Sequence, residues 1–287
     1  MHVIIIGSGP AGVSAALYAR RGGADVTVIT KGTGGLAAAE WVENYYGFAE
    51  PISGAELEQR GIAGAKRLGV RFEMDEVLAI LPADGGKGFC LETVRAAYDA
   101  DAVILAAGVP RKTLSIPGIR EFEGRGVSYC AICDAFFYRG KRVAVIGAGD
   151  YALHEAEILR PHVAQLSLLT NGEEPSVVVP DGISVRTQKI VRIEGVRRVQ
   201  RIVFDDDTAM DVDGIFMAIG TAGSMELARK LGVVLSDGKI VVGKHMETNA
   251  PGVYAAGDCT GGLLQIAKAV YEGAEAGLAA VRYLRKG

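Results

Sequence analysis

Cys130-Ala131-Ile132-Cys133-Asp134 sets two thiols two residues apart and follows them at once with a carboxyl group. Such a pair can close a small disulfide ring, and in a reducing compartment one thiolate can attack another disulfide while its neighbour resolves the mixed species. Asp134 could protonate a departing thiolate, since exchange runs faster when the leaving sulfur is neutralised, or it could cap a helix. A zinc site would need two further ligands at matching spacing, and neither Cys90 nor Cys259 belongs to a second CxxC. A structural pair and a metal half-site stand as the alternatives, and Cys90 and Cys259 read as packing residues.

A second chemistry is written in glycine. Gly7-Ser8-Gly9-Pro10-Ala11-Gly12 and Gly147-Ala148-Gly149-Asp150-Tyr151-Ala152 are both GxGxxG/A runs. In such a run the first glycine makes a tight turn, the second lets a pyrophosphate approach, and the third lets helix and strand pack, with the helix N-terminus facing the anion. A single match is weak evidence, but both copies stand in the context the mechanism needs. His2–Ile6 and Arg142–Ile146 are apolar strands leading in; Val13–Arg21 and Leu153–Leu159 are helical patterns leading out; Val26–Thr30 and Leu166–Thr170 are strand-like again. Two βαβ units follow, hence two dinucleotide folds.

These elements predict an α/β chain of two Rossmann-like dinucleotide-binding domains, of three-layer ββα sandwich type, with the second inserted into the first. The first domain is expected to be discontinuous, residues 1–115 plus 246–287, and the middle domain to span 116–245. Val103–Gly108 reads as a buried strand before the breaker Ile116-Pro117-Gly118, and Gly252–Asp258 as a short strand before a helix from about Leu263 to Leu284.

Composition agrees. The 287 residues are 49% hydrophobic, enough for two cores of about 150 residues each. With 31 basic against 34 acidic residues the net charge is −3, so no basic surplus points to nucleic acid or an anionic membrane. No apolar run approaches the roughly 20 residues of a membrane span, and no leader pattern precedes Val3, so a cytoplasmic protein is expected.

Taken together, the glycine run at 7–12, Val42-Glu43-Asn44-Tyr45-Tyr46-Gly47-Phe48, the stretch from Cys130 to Lys141, the second glycine run and Gly252–Cys259 resemble the low-molecular-weight thioredoxin reductases along nearly the whole chain. That resemblance implies FAD in the discontinuous domain, a nucleotide-type fold carrying the cysteine pair in the middle one, and a homodimer. Gly7, Ser8, Gly9, Pro10, Ala11 and Gly12 would hold the FAD pyrophosphate. Thr30 would stand where many dinucleotide folds place a ribose-binding acid, with Gly35, Leu36 and Val77 also at the cofactor. Asn44 would lie near the isoalloxazine, or be only a turn residue. Ala107 and Gly108 would lie beside the adenosine half, and Gly257 and Asp258 at the ribityl or pyrophosphate region, unless Asp258 is only a cap. Gln265, Ile266 and Ala267 would open the last helix, whose N–H groups could stabilise negative charge on reduced flavin. By the same resemblance Cys133 faces the flavin and Cys130 attacks the protein disulfide.

One region departs from that family. Its NADPH-dependent members carry a His-Arg-Arg run after the second strand of the middle domain; here Thr170-Asn171-Gly172 is followed by Glu173 and Glu174. Each lost Arg–phosphate bond is worth about 1.5–3 kcal/mol. NADH is not clearly served either, although Glu173 or Glu174 could bind a ribose. Tyr151 replaces the usual small hydroxyl residue, and Pro175–Pro180 stands where the family has a helix. The resemblance is therefore closest to the pyridine-nucleotide-independent, ferredoxin-linked flavin thioredoxin reductases. The expected activity is electron transfer through FAD and Cys130/Cys133 to thioredoxin or a similar protein, with ferredoxin or another external donor. An NAD(P)H-dependent thioredoxin reductase with an atypical site, an oxygen-dependent dithiol oxidase and a flavin-bearing redox module without turnover are the alternatives. Arg20, Arg21 and Lys31, or Arg139, Lys141 and Arg142, are the candidate basic patches for an acidic donor.

Overall fold

A computed structural model of the chain describes residues 1–83, 85–108, 115–220 and 223–286. Residues 109–114, which the expected first domain includes, lie outside the described residues. By internal contacts the chain divides into two compact units, Met1–Pro110 with Gly223–Gly287, and Arg111–Ala222.

The first unit opens with β1 (His2–Ile6), α1 (Pro10–Arg21) and β2 (Asp25–Thr30), the first expected βαβ. After α2 (Gly54–Arg67) come β3 (Arg71–Met74), the antiparallel meander β4 (Val77–Pro82), β5 (Phe89–Thr93) and β6 (Ala97–Ala100), and then β7 (Ala102–Leu105). Val3–Ile6 and Ala102–Leu105 are buried along their whole length, as central parallel strands covered on both faces must be.

The second unit contains β8 (Val127–Ser128), the short helix α3 (Ala131–Asp134), β9 (Arg142–Ile146), α4 (Asp150–Leu159), β10 (Gln165–Leu169) and β11 (Ser184–Arg186). An antiparallel meander follows, β12 (Ile190–Gly195), β13 (Val199–Phe204) and β14 (Ala209–Asp211), and then β15 (Gly214–Met217). Its parallel sheet has the order β11-β10-β9-β15-β8, so β9-α4-β10 is the second expected βαβ. Among the described residues no helix lies between β10 and β11.

The chain then returns to the first unit with α5 (Ser224–Lys230), the two-residue strands β16 (Leu235–Ser236) and β17 (Lys239–Ile240), β18 (Val253–Ala255) and α6 (Ile266–Leu284). The parallel sheet there has the order β18-β7-β1-β2-β3. Residues 223–245, placed by the sequence reading in the middle domain, pack with this unit: Ala107 N donates to Ser224 Oγ at 2.9 Å and Lys230 Nζ to Leu78 O at 3.0 Å. The last helix begins at Ile266, three residues later than Leu263, because Gly261 and Gly262 take positive φ and Gln265 is extended.

Helices α1 and α6 cross with almost no side chain between them. A Cβ on Gly273 would sit 2.1 Å from Ala11 O, and one on Gly277 2.4 Å from Ala15 O. Ala11, Ala15, Ala19, Ala276 and Ala280 are all in the same buried cluster, so small residues fix how closely α1 is held and where its N-terminus lies.

Candidate functional site

The turn between β1 and α1 is shaped by contacts that only glycine permits. Gly7 has φ +109° and its backbone lies so near β7 that a Cβ would be 2.4 Å from Ala106 O. A Cβ on Gly12 would meet Gly7 O at 1.8 Å. At Gly9 nothing lies within 4 Å of that position, which leaves the α1 N-terminus open to a ligand. Pro10 is the first helical residue, where its missing N–H costs nothing.

The structure gathers most of the expected cofactor residues about this turn. Ser8 Oγ and Thr30 Oγ1 are 2.9 Å apart, Ala107 Cα lies beside Gly7, and Gly257, at φ +89°, would place a Cβ 2.9 Å from that of Ala11. Asp258 and Cys259 follow in a short turn whose N-cap is Gly257. Asn44 Nδ2 donates to Gln265 Oε1 at 3.0 Å, linking the Trp41–Phe48 region to the residue that precedes α6. Ile266 and Leu36 line a cavity of about 200 Å³ with Ser8, Gly9, Pro10 and Tyr45. Gly35 precedes Leu36, and Ala267 is exposed in the first turn of α6. Val77 opens β4 two residues past Asp75, whose N–H donates to Thr30 O. Gly108, at φ +67°, is the last described residue before position 109.

Sequence reasoning missed two features here. Glu58, on α2, is 6% exposed; its Oε1 accepts from Gly34 N at 2.9 Å, while Oε2 has no partner and lies 3.5 Å from where a Gly34 Cβ would be. Glu272 and Lys268 form a nearly buried pair at 2.9 Å that clamps the Gly257 turn: Gly257 N donates to Glu272 Oε2 and Lys268 Nζ to Gly257 O. An open helix N-terminus, glycines cleared of side chains and a buried acceptor suited to a sugar hydroxyl fit a dinucleotide cofactor.

In the second unit Cys130 and Cys133 are joined as a disulfide, with Cα atoms 5.3 Å apart. Cys130 is buried and caps α3: its Sγ accepts from Cys133 N at 3.2 Å. Cys133 is exposed. Asp134 does not cap a helix through its side chain; Oδ2 accepts from Ser128 Oγ at 2.6 Å, and that hydroxyl in turn accepts from Cys130 N at 3.2 Å. Glu155 of α4, 1% exposed, accepts from Ala131 N at 2.7 Å. Ile132, Phe136 and Phe137 stand exposed beside the disulfide, with the Arg139 guanidinium 4.8 Å from the Phe136 ring centre.

The second glycine turn is occupied by the chain itself. Ser176 N and Ser176 Oγ both donate to Ala148 O, at 2.8 and 3.1 Å, and a Cβ on Gly149 would lie 3.4 Å from Ser176 Oγ. Thr170 Oγ1 donates to Glu173 O, and Asn171 Oδ1 accepts from Ile190 N at 2.7 Å. Tyr151 is fully buried.

Comparison with known proteins agrees with this architecture. The family model for pyridine nucleotide-disulphide oxidoreductases matches residues 1–273. A thioredoxin reductase from Listeria innocua is 32% identical over an alignment of 314 positions, covering 99% of this chain and 94% of that one. The atypical thioredoxin reductase TRi from Desulfovibrio vulgaris Hildenborough superposes with a TM-score of 0.94 at 40% identity, covering 99% and 98% of the two chains. A ferredoxin-flavin thioredoxin reductase from Clostridium acetobutylicum superposes with a TM-score of 0.75 at 34% identity, covering 100% and 98%. With its disulfide and its open glycine turn, the chain belongs to the pyridine nucleotide-disulphide oxidoreductase family and is a flavoprotein disulfide reductase with FAD as its cofactor.

Proposed function

We propose that the protein reduces the disulfide of thioredoxin or a similar protein through Cys130 and Cys133, with electrons supplied by ferredoxin or another external one-electron protein donor. The observation that carries the donor assignment is Ser176 lying across the Gly147–Gly149 turn, where a nicotinamide dinucleotide would place its pyrophosphate. Support also comes from Glu173 and Glu174 in the position of an arginine cluster, and from likeness to the Clostridium acetobutylicum enzyme.

FAD, when bound, would collect electrons delivered singly and pass them on as a pair. The turn Gly7–Gly12 would hold its pyrophosphate; Thr30, Gly35, Leu36, Asn44, Val77, Ala107, Gly108, Gly257, Asp258, Gln265, Ile266 and Ala267 would complete the site.

In the reduced pair the Cys133 N–H favours a thiolate on Cys130, which makes Cys130 the attacking sulfur. Its Sγ must be uncovered for this step, since Cys130 is 5% exposed. Attack forms a bond to one partner sulfur and expels the other, which takes a proton. Cys133 then attacks Cys130, breaking the mixed bond and re-forming the disulfide as the second partner thiol leaves. Two electrons and two protons thus pass from the pair to the partner disulfide. Asp134, whose Oδ2 accepts from Ser128 Oγ, is the carboxyl group to which we assign the movement of one of those protons. Ile132, Phe136 and Phe137 give the partner an apolar surface.

The test is anaerobic mixing of the oxidised holoenzyme with NADPH, NADH and reduced ferredoxin in turn while flavin absorbance is followed. Bleaching by ferredoxin, with thioredoxin reduction to follow, is expected. Reduction by NADPH with a KM in the ordinary range of about 1 μM to 1 mM would overturn the donor assignment.

A further inference from the structure

The redox helix begins under a buried carboxyl group. Glu155 reaches from α4 to accept the Ala131 N–H, the first of α3, at 2.7 Å, and is 1% exposed. Other N–H groups at this end are also committed: Cys130 N to Ser128 Oγ and Cys133 N to Cys130 Sγ. An N–H at a helix start favours a nearby anion, whereas a carboxylate placed there opposes a second one. Glu155 therefore spends one of the donors that would otherwise favour a Cys130 thiolate, and sets its carboxyl group at the backbone N–H that follows Cys130.

We propose that Glu155 is a positioning residue that ties the redox helix to α4 and holds the reduced Cys130–Cys133 pair in a strongly reducing state by disfavouring the Cys130 thiolate. Charged and titratable groups on the elements that meet here include Asp134, linked through Ser128, Tyr138, on which the Arg198 charge acts, and Asp150, Tyr151, His154 and Glu157 on α4 itself. Glu155 differs from Asp134 in its bond to the helix backbone. Converting dithiol to disulfide releases two electrons and two protons; whatever favours the thiolate favours the dithiol side, and Glu155 acts against it. The proposal rests on Cys130 and Cys133 being the working pair, and on neither the donor nor the partner. Failure of ferredoxin to reduce the flavin would leave it standing.

Glu155→Gln keeps an acceptor for Ala131 N and removes the charge. In reduced holoenzyme, iodoacetamide labelling of Cys130, read by peptide mass spectrometry across pH, should shift to lower pH and run about tenfold faster at pH 7, corresponding to about one pK unit. Equilibration of the pair with dithiothreitol at pH 8.5 should move toward the dithiol by a comparable factor. Glu155→Met, also neutral, should shift the labelling in the same direction. A purely structural role predicts an unchanged labelling profile in Glu155→Gln, and that result would overturn the proposal. Should neither variant fold, infrared difference spectra of Asp134→Asn protein between disulfide and dithiol forms decide: a shifted carboxylate band is expected on reduction, and its absence refutes the idea.

Discussion

Burial determines what each sulfur can do. Cys259 is fully buried beside the Gly257 turn, and burial pushes its thiol from the ordinary 9.0 up to about 11; the same cause pushes the Tyr254 hydroxyl up to about 12. Both groups are neutral when protonated, so the fold favours their protonated forms. Their contribution is complete below the unfolded pKa and is lost as pH rises through the folded one. For Cys259 that window runs from about pH 9 to 11, and its gap of about two pH units is worth at most roughly 2.7 kcal/mol. Urea midpoints measured at pH 8 and pH 10.5 should fall less in Cys259→Ala than in wild type; an equal fall in both would show that the thiol is not the titrating group. Sequence alone already suggested that Cys259 packs. It could not show Glu155 or Glu58, because each meets its partner 24 residues away in the chain through helix placement, and a glutamate in a helical pattern reads as a solvated face.

Elements were legible where the signal is local. Apolar runs ending in GxGxxG fix strand, turn and helix within about twenty residues, and both βαβ units form as those runs imply. The start of α6 was less legible: Leu263 and Leu264 continue an apolar pattern, but two glycines at positive φ keep them outside the helix. The small residues of α1 and α6 carry a further consequence. Gly277→Val would drive a side chain into Ala15 O and should cost about 3 kcal/mol or more, whereas Gly64→Ala on α2, where nothing lies within 4 Å, should stabilise by about 0.4–1 kcal/mol. Thermal unfolding of the two variants tests this contrast. Similar melting temperatures would mean that α1 and α6 do not pack through backbone contact.

At the scale of the whole molecule, charge decides how a protein donor finds its way. The net charge is −3, so attraction of an acidic ferredoxin would have to come from a local cluster. Three of the six candidate residues are already neutralised: Arg20 pairs with Asp25, Lys31 with Glu76, and Arg142 with Asp211 and Asp213. Lys141 Nζ donates to Phe137 O at 2.8 Å and Arg139 lies over the Phe136 ring, which holds both charges on the stretch that follows the redox helix. Such pairing was invisible in the sequence, since Glu76 and Asp211 lie 45 and 69 residues from their partners. With half of the candidate cations already paired, their long-range pull should be weak. Ferredoxin-driven thioredoxin reduction should therefore fall by less than the roughly tenfold that marks the onset of electrostatic steering when ionic strength rises from about 10 mM to 0.15 M. A steeper fall would reveal a basic docking face beyond these residues, and charge reversal at Arg139 and Lys141 would then show whether the disulfide surface contributes to it.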